Sequence, residues 1–189
     1  MITTGVLGRP WRASVTPWGA VEPWPDQADA RTLDWCVAAD DRWHVPADEA
    51  TVRQDRVDGT PVVQTRVRVP RGDVVQTVYS VADAGGLTLI EVLNESTLPV
   101  AIAFGHRDVL TERPIADVPI QGIELPSEAF VLPLGHQASL RIAISHTGRT
   151  GAMPSGLPGA MQVARGWSTV TDRASRAVLP DGELGAGLA

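Results

Sequence analysis

Lysine is absent from this chain of 189 residues, and all 16 of its basic side chains are arginine. The absence excludes functions that need a lysine amine: a Schiff base with a carbonyl substrate, the phosphate-loop lysine and the ATP-binding lysine of protein kinases. Cysteine is nearly absent as well, because Cys36 is the only one. An internal disulfide and a cysteine-rich zinc site are therefore excluded.

Long apolar runs and an excess of positive charge are missing too. No window approaches the run of about 18 apolar residues that spans a membrane, and residues 1–10 lack the apolar stretch of a signal peptide. The net charge is −6, and no dense arginine cluster supplies the basic face that nucleic-acid binding requires. We therefore predict a cytoplasmic bacterial protein whose partners include neither nucleic acid nor a membrane.

The chain does carry one strand-and-turn pattern after another between residues 51 and 146. Asp58-Gly59 is a hairpin dipeptide between strands predicted at 51–57 and 62–69, and the second strand alternates apolar with polar residues. Further strands are predicted at 33–37, 74–81, 87–93, 100–104, 120–125, 129–132 and 139–145. About eight or nine strands separated by turns are typical of an antiparallel β-sandwich, with residues 87–93 as a central strand.

Two segments of different character flank these strands. Residues 1–50 hold five of the six tryptophans and several prolines, which predicts an extended, irregular path over the surface of the sandwich. Residues 148–159 have the composition of a linker, and beyond them apolar residues recur at helical spacing until Pro180. We therefore expect a sandwich domain over 1–147, a linker over 148–159, and a helix and tail over 160–189.

No motif in the chain predicts a catalytic residue, a cofactor or a metal site. His106-Arg107-Asp108 resembles the catalytic loop of kinases, but Arg113 stands where that loop needs asparagine, so a polar rim just past a strand end is the better interpretation. The four histidines show no ligand spacing. Cys36 lies within a predicted strand and is expected to be an inert buried thiol, and Glu91 is an unusual acid inside an apolar strand.

The tryptophan-rich segment is the strongest functional signal. Sugar rings stack on flat indole faces, so Trp24, Asp40, Asp41, Trp43 and His44 form a candidate glycan platform with polar side chains to orient the ring. The alternative is that the tryptophans anchor the N-terminal segment to the sandwich, each burying a large area. The sequence leaves both interpretations open.

Two stretches, 118–126 and 165–181, resemble the N-terminal region of uncharacterised proteins from high-GC bacteria. In such proteins a β-sandwich precedes a helical domain, an arrangement similar to glycoside hydrolases and phosphorylases with a sandwich before an α/α toroid. The resemblance implies a non-catalytic accessory or interaction domain, the N-terminal part of a larger protein. Its expected partner is a helical domain of the same protein, or a second copy. A carbohydrate-binding module is the first alternative, and a hydrolase with a histidine–carboxylate site is the second.

Overall fold

The computed structural model of the chain describes residues 1–24, 31–117 and 119–174, which contain fourteen strands and one α-helix. The strands are β1 (Ile2–Gly5), β2 (Arg12–Val15), β3 (Val21–Pro23), β4 (Trp35–Ala38), β5 (Trp43–His44), β6 (Arg53–Arg56), β7 (Val63–Val69), β8 (Gly72–Val81), β9 (Leu87–Asn94), β10 (Val100–Phe104), β11 (Leu110–Thr111), β12 (Phe130–Leu134), β13 (Ser139–Ser145) and β14 (Gly151–Ala152). The helix α1 spans Ala160–Arg173. The predicted number of eight or nine strands was too low.

The largest sheet has seven strands in the order β14-β11-β13-β9-β8-β7-β6. Every neighbouring pair in it is antiparallel except β11 and β14, which run parallel. Asp58 and Gly59, with φ of 50° and 70°, turn the chain between β6 and β7, so the predicted hairpin is confirmed. The centre of the sheet is the long pair β8–β9, whose register runs from Val74 opposite Asn94 to Val81 opposite Leu87.

One face of the seven-stranded sheet packs against a four-stranded antiparallel sheet of order β12-β10-β4-β5. A single apolar core joins the two sheets, with Val78 and Ile90 from the larger sheet and Ile102 and Phe130 from the smaller. All four of these side chains are at most 1% exposed. The predicted antiparallel sandwich is therefore confirmed.

The opposite face is covered by the C-terminal part of the described chain. A second apolar cluster joins Tyr79 and Leu89 of the large sheet to Ala164 of α1, with half-buried Met153 and Leu157 packed against it. The segment 148–159, predicted as a linker, thus contains β14 and part of this cover. The predicted helix begins as expected but ends at Arg173 and not at Pro180, because the backbone of Ala174 is already extended. The tail beyond residue 174 lies outside the described residues. Among the described residues, no helix is long and apolar enough to cross a membrane.

The N-terminal segment is regular where an irregular path was predicted. β1, β2 and β3 form a three-stranded antiparallel sheet, and β1 lies against β8. The turn between β2 and β3 is held by Gly19, whose φ is +88° and whose Cβ, if present, would lie 2.5 Å from Gln76 Oε1. The Trp35 indole donates a hydrogen bond to the Trp18 carbonyl (3.0 Å). Local composition could not reveal these distant partners.

The strand predicted at 120–125 is absent, and residues 122–123 form a bend instead. Gly122 has a φ of +80°, which interrupts an extended backbone. The neighbouring Gln121 carbonyl accepts a hydrogen bond from the Trp43 indole (2.8 Å). The segment is therefore fixed by a side chain from β5 and not by a strand partner.

Asn94, at the end of β9, joins the two large sheets. Its side chain is fully buried, and Nδ2 donates to the carbonyls of Leu98 (2.7 Å) and Gly135 (3.1 Å). Its Oδ1 accepts from the Ser96 amide (3.0 Å) and hydroxyl (2.7 Å). Because Gly135 directly follows β12, this amide connects the seven-stranded to the four-stranded sheet.

We expect Asn94→Asp to reduce the free energy of unfolding by about 2–4 kcal/mol, because it removes two donors and buries a charge against carbonyl oxygens. Urea denaturation measures the loss. Gln64→Glu is the matched control, since the same chemical change on half-buried Gln64 leaves an acceptor for Arg66 Nη2 (3.4 Å). Equal losses in both variants would contradict a special role for Asn94.

Candidate functional site

A cavity of about 300 Å³ lies at the end of the sandwich opposite Asn94, where β9 begins and β10 ends. All three sheets contribute to it, through the ends of their strands and the loops that precede or follow them. Its lining consists of Pro10, Trp11, Pro23, Trp24, Arg31, His106, Asp108, Ile144, Ser145, His146, Gly148, Arg149 and Thr150.

Trp24 supplies the most accessible aromatic surface of the cavity. It directly follows β3, its amide donates to the Arg12 carbonyl (3.0 Å), and its indole donates to Ser14 Oγ (2.8 Å). The Arg12 guanidinium stacks over the ring at 5.4 Å from the centroid. The residue is nevertheless 48% exposed, so the ring is held in place while part of its surface stays open.

Trp11 forms a second aromatic wall and lies directly on Gly86. A Cβ at Gly86 would come within 2.4 Å of Trp11 Cδ2, so only glycine leaves room for the indole. Gly86 also has a φ of +92°, which favours glycine for an independent reason. Arg9 stacks over the Trp11 ring at 5.6 Å. The half-buried Trp11 indole therefore forms a fixed wall of the cavity and offers little open surface for stacking.

His106 lies just past β10, as predicted, and is 5% exposed. Its Nδ1 accepts a hydrogen bond from the Asp108 amide (3.3 Å), which assigns the proton of the neutral ring to Nε2. Nε2 is enclosed and has no hydrogen-bond partner among the residues that the structure describes. Burial lowers the pKa of His106, and the charge of Arg31 lowers it further. Arg31 itself pairs with Asp108 and with Glu128 (2.6 Å).

His146, just after β13, connects the cavity to a chain of buried hydroxyls. Its Nε2 lies 3.0 Å from Thr88 Oγ1, which lies 3.1 Å from Ser80 Oγ. Thr4 Oγ1 of β1 donates to Ser80 Oγ at 3.5 Å. Burial lowers the pKa of His146. Near pH 7 the cavity therefore presents two neutral imidazoles beside its charged arginines.

The five residues of the predicted glycan platform do not meet. Trp24 lines the cavity, but Asp40 and Asp41 follow β4, and Trp43 and His44 form β5 beside its last residues. Trp35, the first residue of β4, pairs with Phe104, the last residue of β10. Residues 31 and 106 of the cavity therefore lie near the start of β4. The two groups are thus at opposite ends of that strand.

The cluster around His44 is held together by its own bonds. His44 is buried, with Nε2 3.1 Å from Asp41 Oδ1 and Nδ1 3.0 Å from Glu49 Oε1. Arg42 makes two hydrogen bonds to Glu49 (2.6 and 3.1 Å), and these hold the pKa of Glu49 below its usual range. Since the Trp43 indole is occupied by Gln121, these side chains have few polar atoms left for a ligand.

Other residues singled out from the sequence lie away from the cavity. Cys36 lies buried in β4, as predicted, and burial raises its pKa to about 11, which keeps the thiol protonated near pH 7. Glu91 lies opposite Thr77 and Arg141 and accepts a hydrogen bond from the Tyr79 hydroxyl (3.4 Å). Within residues 1–24, 31–117 and 119–174, no three histidine, cysteine, aspartate or glutamate side chains are grouped to hold a metal.

Sequence reasoning missed most of the cavity lining. Arg31, Asp108, His146 and Arg149 lie on loops that are far apart in the chain and carry no shared motif. Trp11 did carry a signal, because Trp11 and Trp24 lie at nearly equal separations from the turn at 17–19. A hairpin folded at that turn brings the two indoles to the same end.

A scan of protein-family models finds no match to this chain. Searches of curated proteins and of solved structures find no match either. Residue geometry therefore carries the functional argument.

The two cavity histidines predict a specific pH dependence of stability. Their pKa values are lower in the folded chain than the ordinary value near 6.5, so the unfolded chain takes up protons first as the pH falls. Their contribution is complete above about pH 6.5 and decreases below it. Urea denaturation should show a larger loss between about pH 7 and pH 5 for the wild type than for His106→Gln/His146→Gln. Identical pH dependence in the two proteins would contradict this assignment.

Proposed function

We propose that this chain is a non-catalytic β-sandwich domain that binds a saccharide in the cavity between Trp24 and His106. The observation that carries the proposal is the partly exposed Trp24 indole, held by Ser14 and Arg12 at the mouth of a cavity with polar walls. Aromatic surface combined with a few placed polar groups is the composition of small-ligand sites.

A sugar ring matches this combination. Its C–H face is apolar and stacks on an indole, while its hydroxyl groups need donors and acceptors around the edge. Ser145, Thr150 and Asp108 line the cavity and offer such groups. A volume of about 300 Å³ is at the small end of ligand sites. One ring inside, with the rest of a glycan outside, is the expected mode of binding.

The proposal assigns no catalytic role to the cavity histidines. His146 Nε2 is engaged by Thr88, and His106 Nδ1 accepts a bond from the backbone. The proposal also keeps the predicted cytoplasmic location.

Isothermal titration with neutral and acidic monosaccharides tests the proposal. We expect Trp24→Ala to weaken binding about five- to thirtyfold, because it removes a stacking surface worth about 1–2 kcal/mol. Trp24→Phe should keep part of the affinity. Trp18→Ala is the matched control, since Trp18 is also exposed (38%) but does not line the cavity. Absence of binding by every sugar, or equal losses in the two alanine variants, would contradict the proposal.

The exposed side of α1 supports a second function, contact with a helical region of the same protein. Leu7, Val163, Trp167 and Val170 line an apolar groove of about 330 Å³ between α1 and the turn after β1. Leu7 is 64% exposed, and Val170 of α1 is 43% exposed. Helices bury such apolar stripes against other helices, which supports the helical partner that the sequence predicts.

Hydroxyl-radical footprinting tests this second function. In a protein extended by the residues that the native gene encodes after Ala189, Leu7 and Trp167 should be protected relative to the 189-residue chain, because both line the groove. Met1, which is 70% exposed and does not line the groove, is the internal control and should oxidise equally in both. Unchanged modification of Leu7 and Trp167, or a stop codon directly after residue 189 in the gene, would contradict the proposal.

A further inference from the structure

We propose that the saccharide bound in the cavity is an acidic one, and that Arg149 binds its carboxylate. This inference rests on the proposed saccharide-binding function. It comes from the charge around the cavity, which is positive although the net charge of the whole chain is negative.

The chain has a net charge of −6, yet among the described residues the cavity lining carries two guanidinium groups, Arg31 and Arg149, against the single carboxylate of Asp108. Arg9 and Arg12 add further positive charge where they stack over the two indoles. Low-dielectric walls of one charge sign attract ligands of the opposite sign. The lining therefore favours an anion in a protein that otherwise repels anions.

The two lining arginines differ in what they already bind. Arg31 pairs with Asp108 and Glu128, so the positive charge of Arg31 and the negative charge of Asp108 are both compensated. Arg149 is exposed and makes no hydrogen bond or ion pair with any described residue. Within the part of the lining that the structure describes, Arg149 is thus the cation that remains available to a ligand.

The chemistry of this cation selects a carboxylate. A guanidinium presents two parallel N–H groups that match the two oxygens of a carboxylate. One uncompensated positive charge balances a monoanion, whereas a sugar phosphate near pH 7 carries nearly two negative charges. A ring that stacks on Trp24 and carries one carboxylate is therefore the ligand that fits both the indole and the arginine.

The test compares four probes by isothermal titration at low ionic strength: D-glucuronate, its neutral methyl ester, D-glucose and D-glucose 6-phosphate. We expect glucuronate to bind about tenfold more tightly than the ester or glucose, as a charge-assisted contact provides. The advantage should shrink as salt rises to about 0.5 M, because exposed charges are screened.

Arg149→Gln should abolish the glucuronate advantage, so that the variant binds glucuronate and glucose with equal affinity. Arg56→Gln is the matched control, because Arg56 is exposed on β6 and does not line the cavity. Equal affinity for glucose and glucuronate in the wild type, or equal losses of both in Arg149→Gln, would overturn the acidic ligand and leave saccharide binding intact. Tighter binding of the phosphate than of glucuronate would overturn the carboxylate. No binding of any probe would overturn the proposed function as well.

Discussion

Both faces of the strand pair β8–β9 are apolar and must be removed from water. Val78 and Ile90 point to one side, and Tyr79 and Leu89 point to the other. A two-layer sandwich buries only one of these faces, so a third layer is needed on the outside. Residues 153–164 supply it. The four-stranded sheet covers only part of the inner face, and β1–β3 cover another part. The cavity lies at one end of the sandwich because the layers that cover β8 and β9 end there.

The inner face changes character along its length, and that change makes a polar site compatible with a packed core. Ile90 and Val92 of β9 belong to the aliphatic core, whereas Thr88 and Ser80 place hydroxyl groups where β1 crosses. Buried hydroxyls must bond to something, and here they bond to one another and to His146. These polar groups are therefore buried with their hydrogen bonds formed, and they extend from the interior to the cavity wall without an isolated charge.

Local elements with a short sequence period could be predicted from the sequence. Contacts that depend on the register between distant strands could not. The alternation in β7, the Asp58-Gly59 turn and the helix starting near residue 160 are local, and each was predicted. The N-terminal sheet was missed because its anchoring contacts, such as Gly19 on Gln76, join residues far apart in the chain. The glycan platform failed to assemble for a related reason. Trp24 and Trp43 are close in sequence, but the chain between them passes along β4 to the other end of the sandwich.

The contact between Trp11 and Gly86 has a consequence for how the molecule acquires its structure. During synthesis the N-terminal strands emerge first, while their partners at Gly86, Thr88 and His146 are made much later. Trp11, a wall of the cavity, can therefore pack only after Gly86, about 75 residues later, has been synthesised. The hydroxyl chain is complete only after His146, which lies still further along the chain. Contacts of such large sequence separation form slowly. The tryptophan-rich hairpin must therefore avoid aggregation until the last strands of the large sheet are complete. The cavity is among the last features of the fold to form.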